Sequence, residues 1–99
     1  MQQQPPYMSA LEAYDPSLLE TMTNTREFVL ADGALSAKTK VLMMVLSDSL
    51  LSHPTGVRNL ANRARSLGAT EDEISETVRV AYLMGGLPGL VTGCNAFPE

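Results

Sequence analysis

The chain has 99 residues, 44% of them hydrophobic, with a formal net charge of −4 and an isoelectric point near 4.8. That length fits one domain with a modest core, and the acidic balance argues against nucleic acid as a partner. A single cysteine, Cys94, rules out an intramolecular disulfide and with it a disulfide-scaffold secreted fold.

Residues 1–8 read as a flexible tail, and Ser9 as the cap of a short helical turn reaching Glu12. Asp15-Pro16 is a helix start. Asp suits the N-cap, and Pro at the first helical position loses an N–H that has no partner there. Leu18, Leu19, Met22, Phe28 and Val29 give this helix an apolar side as far as Leu30 or Ala31. Asp32-Gly33 reads as its stop, with Gly33 suited to a left-handed residue. Ser36 caps the next helix, expected over 37–51. Its centre, Val41 to Leu46, is apolar all round, as in a helix buried on most sides, within one subunit or between subunits. The adjacent Met43 and Met44 suit irregular packing there.

The run Ser52-His53-Pro54-Thr55-Gly56 breaks that helix, because proline disfavours helical geometry at the residue before it. A helix over 55–67 follows, with Val57, Leu60, Ala61 and Ala64 inside and Arg58, Arg63 and Arg65 outside. Gly68 closes it. Thr70 and Glu73 then form a T-x-x-E capping box, with Glu71 and Asp72 adding charge at the positive end of the helix dipole. Ile74, Val78, Ala81, Tyr82 and Gly85 make one apolar stripe. Gly85-Gly86 stops the helix, and Pro88 starts a last short one to about Ala96. Gly89 and Gly93 share one face of it and permit close approach of another helix.

No strand is expected, so the fold class is all-α, a single domain over 1–99. No run of about 20 apolar residues suggests a membrane span, and no signal peptide is visible. The expectation is a cytoplasmic protein. A chain this short, without tryptophan and with five aromatics, often completes its core by forming an oligomer.

Four residues carry the candidate chemistry. His53 is the only histidine and a candidate acid–base group, though a histidine ending a helix also serves its terminal carbonyls. Asp48 interrupts an apolar helix. It lies either on a wet stripe with Lys40, Met44 and Ser52 or turned inward as a general base, one turn from His53. Arg58 is a candidate anion contact. Cys94 is ordinarily a small buried hydrophobe, and otherwise a lone redox thiol needing an external thiol to resolve it. No metal ligand set and no cofactor motif stand out.

The stretches LADGALSAKTKVLMMVLSDSLL and LGATEDEISETVRVAYLMGGLPGLV, covering roughly residues 15–91, resemble the carboxymuconolactone decarboxylase family, which includes the alkyl hydroperoxidase D-like proteins. The resemblance implies an all-helical bundle around a central hairpin, assembled as a homotrimer or homohexamer. Peroxidase-type relatives carry C-x-x-C-x-x-x-H, and those positions fall here on His53, Gly56 and Leu60. Their acidic residue falls near Val41. Decarboxylase-type relatives keep the same downstream histidine, again Leu60 here. Without two thiols, one to attack and one to resolve, dithiol peroxide reduction within a subunit has no route. Three readings follow: a homo-oligomer binding a small anionic ligand or a partner, an enzyme with a remodelled His53–Asp48 site for a small carboxylate or lactone, and single-cysteine chemistry at Cys94.

Overall fold

The computed structural model describes residues 5–99. Among them lie five α-helices and no strand: α1 (Pro6–Tyr14), α2 (Pro16–Leu30), α3 (Ala37–Leu50), α4 (Pro54–Ser66) and α5 (Glu71–Gly93), followed by a 3₁₀ turn, Cys94–Ala96. The chain divides into two compact units, Met1–Ala31 and Asp32–Glu99.

In the first unit α1 and α2 pack on each other. The reading of residues 1–8 as a tail is corrected where the structure describes them, since Pro6–Met8 are helical; the first four residues lie outside the described part. Pro5 occupies the N-cap and Pro6 the first turn, where a missing N–H costs no bond. Ser9 is therefore inside the helix rather than its cap. Asp15 does cap α2, its carboxylate accepting from the Leu18 N–H at 3.1 Å. Gly33 is not left-handed; α2 ends instead on Ala31 in an extended conformation.

In the second unit α3 packs against both α4 and α5, and the 3₁₀ turn touches α4 and α5. The core is Val45, Val57, Ala61, Ile74, Val78 and Ala96, with Leu42, Leu60 and Leu90 packed around it. Each fully buried Val or Ile contributes about 1.5–3 kcal/mol. The one buried polar side chain of the described core, Ser49, is satisfied, its hydroxyl donating to the Val45 carbonyl at 2.8 Å. In the apolar centre of α3, Val41 and Val45 are buried, Leu42, Met44 and Leu46 are part-buried, and Met43 is exposed.

α5 opens on the expected capping box. Thr70 Oγ1 accepts from the Glu73 N–H at 3.0 Å, and the Thr70 N–H donates to Glu73 Oε1 at 2.9 Å. Ile74, Val78 and Ala81 are buried, but Tyr82 is exposed, because the stripe narrows as the helix leaves the core. Gly86, at φ 65° and ψ −156°, kinks the helix, a conformation glycine reaches without steric cost. The part beyond folds back so closely that a Cβ at Gly89 would stand 2.7 Å from the Ala81 carbonyl oxygen. No helix among the described residues is long and apolar enough to cross a membrane.

Candidate functional site

The turn between α3 and α4 brings two of the sequence candidates together. α3 ends with Leu51 as C-cap and Ser52 at φ 62°, the only non-glycine residue with positive φ among those described. The His53 N–H then donates back to the Asp48 carbonyl at 3.0 Å. A left-handed residue followed by this six-to-one bond is a Schellman closure. It reverses the chain so that residue 53 stands over residue 48. Pro54, at the start of α4, then sends the chain off in a new helix.

The side chains follow the backbone. His53 Nδ1 lies 3.1 Å from Asp48 Oδ1. An ionised carboxylate only accepts, so the geometry assigns the ring proton to Nδ1 and leaves Nε2 unengaged by this contact. The Asp48 side chain is 23% exposed and that of His53 58%. The aspartate is thus half-sheltered while the imidazole stands open. His53 occupies the N-cap position of α4 and makes no side-chain cap bond. Its ring is committed to Asp48 rather than to the helix start.

Arg58 is not part of this pair. Its guanidinium donates to Asn95 Oδ1 at 3.4 Å and pairs with Glu99 at 3.3 Å. It helps line an open cavity of about 260 Å³ with Asn62, Arg65, Asn95 and Phe97, and neither Asp48 nor His53 reaches that lining. Arg65 is engaged elsewhere: it bonds Glu71 at 3.0 Å, Asn62 at 2.8 Å and the Ala96 carbonyl at 2.7 Å. Its hydrogen bonds hold the Glu71 carboxyl below the usual carboxylate range, and Glu71 in turn raises the guanidinium. Cys94 is exposed, against the expectation of a buried thiol, because it follows Gly93 where the chain leaves α5. Among the described residues no group of three or more His, Cys, Asp or Glu is placed to hold a metal ion.

Spacing alone suggested the Asp48–His53 pair as conceivable. What it missed was the device that makes it, the left-handed Ser52. Serine is seldom chosen for positive φ, so the sequence carried no strong signal for it.

The family model for the carboxymuconolactone decarboxylase family matches residues 16–99. The chain belongs to the carboxymuconolactone decarboxylase family. Among solved structures it is similar to a carboxymuconolactone decarboxylase family protein from Legionella pneumophila, with a TM-score of 0.85 and 27% identity, covering 91% of this chain and 80% of that one. It also resembles in fold a protein from Burkholderia xenovorans LB400 assigned to the same decarboxylases, with a TM-score of 0.86 and 24% identity over 94% of this chain and 74% of that one. An uncharacterized protein of Methanocaldococcus jannaschii is 24% identical over 84 residues, 85% of this chain and 78% of the relative. The family's helical architecture is therefore the setting of the 48–56 turn.

Proposed function

We propose that this family member is a homo-oligomeric protein that binds a small anionic molecule at the Asp48–His53 turn, with no dithiol peroxide chemistry. The observation that carries the reading is the 3.1 Å contact between His53 Nδ1 and Asp48 Oδ1. It fixes an open imidazole whose other nitrogen faces away from its partner. When protonated, that ring donates from Nε2 to a carboxylate, with Asp48 balancing its charge. The single cysteine supports the absence of a dithiol route.

Exposed apolar side chains support a homotrimer or homohexamer. Leu83 is 80% and Leu87 65% exposed, with Met84 and Val91 also exposed on α5. Apolar surface of this kind marks a protein contact. The family match runs through both compact units, which supports residues 1–99 as one family domain. A cytoplasmic location fits the lone free thiol, and the net charge of −4 weighs against nucleic acid.

The same contact favours a second reading. An aspartate that orients Nδ1 leaves Nε2 as an acid–base group for a small carboxylate or lactone. Calorimetric titration with succinate, benzoate and γ-butyrolactone, with product analysis alongside, tests both readings. Saturable binding lost in His53→Ala supports the site, and turnover lost in the same variant adds the catalytic role. Binding or turnover that survives His53→Ala overturns it. In the same preparation, peroxide consumption with excess dithiothreitol is expected to match a Cys94→Ser control. Catalytic consumption that vanishes in that control would instead establish chemistry at Cys94.

A further inference from the structure

Gly56 sits in the first turn of α4, half-buried and without a positive φ. The backbone therefore asks for no glycine there, and glycine is the poorest helix former after proline. The reason for it lies in the neighbouring side chain. A Cβ on residue 56 would overlap Asp48 Oδ2 and stand 3.1 Å from Asp48 Cγ, with the His53 Cβ at 3.6 Å. The carboxylate rests in the space that a side chain at 56 would fill, and from there its other oxygen reaches His53.

We infer that Gly56 is the positioning residue of the Asp48–His53 pair: its missing side chain is the slot that holds the carboxylate against the imidazole. Both helices are pinned beside the slot. Val57 is fully buried on α4, and Ser49 is buried on α3 next to Asp48. A methyl group at 56 therefore cannot be accommodated by moving either helix outward. The side chain with freedom to move is Asp48, and its rotation breaks the contact with Nδ1. The inference rests on the proposed ligand site for its functional meaning, while its geometry is testable without any ligand.

The test uses the full chain labelled with ¹⁵N. His53 is the only histidine, so its ring nitrogens report without overlap. At mildly alkaline pH, long-range ¹H–¹⁵N spectra give the tautomer. The wild type is expected to hold its proton mainly on Nδ1. Asp48→Asn is expected to shift the balance toward Nε2–H. Gly56→Ala is expected to shift it in the same direction, with a melting temperature at or above that of the wild type. A wild-type tautomer in a folded Gly56→Ala protein overturns the inference.

Should Gly56→Ala fail to fold, the double variant Asp48→Ala/Gly56→Ala decides. Recovery of the fold places the clash on Asp48 and supports the slot; failure to recover overturns it. Succinate titration of the wild type separates this inference from the ligand reading. A tautomer shift in Gly56→Ala together with no succinate binding leaves the positioning role standing and counts against the ligand site.

Discussion

Two helices of the second unit begin in opposite ways. At the start of α5 the capping residues are spent on the helix itself. Thr70 and Glu73 exchange cap bonds, and Lys38 reaches Glu73 Oε2 at 3.0 Å. At the start of α4 the N-cap residue, His53, makes no cap bond and turns its ring to Asp48. Both starts are anchored by a fully buried residue, Ile74 and Val57. The difference is therefore in the polar groups and not in the core. One start uses its polar side chains for stability. The other sets them aside, which is the condition for a ligand to use them.

Substitutions at the two starts separate these roles. The largest effect falls on the shared anchor. Ile74→Ala is expected to cost about 2–5 kcal/mol in urea unfolding, since it empties a fully packed position. Next comes the cap. Thr70→Ala is expected to cost about 1 kcal/mol by the same measurement. The Thr70 backbone N–H, and after it Lys38, hold the Glu73 carboxyl below its ordinary value of 4.5. The sign follows from that direction. The contribution is fully present above the ordinary value and is lost as pH falls through the lower folded value. Acid unfolding of Glu73→Gln should thus show a shallower loss of stability below pH 4.5 than the wild type.

Ser52→Gly is expected to stabilise by about 0.5–1 kcal/mol, because it relieves a left-handed conformation that serine adopts at a cost. The smallest effect is the most telling. His53→Ala is expected to change stability by less than about 0.5 kcal/mol, as for an exposed ion pair. A large loss in this variant would erase the contrast and make the pair a clasp for the fold.

Much of this was legible in the sequence. The helix-start signals at Asp15-Pro16, Ser36 and Thr70 are local, and each side chain finds the backbone N–H that its position predicts. The small face of Gly89 and Gly93 was legible because both are buried, Gly89 against the Ala81 carbonyl before the kink and Gly93 against Ser49 of α3. Less visible was what depends on chain reversal. Asp48 and His53 are five residues apart, and only the left-handed Ser52 turns that spacing into contact. The start of α1 was missed because two successive prolines suggest an extended tail, whereas here the second begins a helix. Cys94 was misjudged from a general habit of free thiols, with no local signal that the last 3₁₀ turn buries Ala96 and leaves Cys94 outside.

Whether the 48–53 pair is held for a ligand is read from the ring resonances of His53 in the full chain as succinate and then γ-butyrolactone are added. A saturable shift that is lost in Asp48→Asn is expected of a ligand site. Ring resonances that stay fixed while the ligand binds elsewhere, for instance beside Arg58, would contradict it.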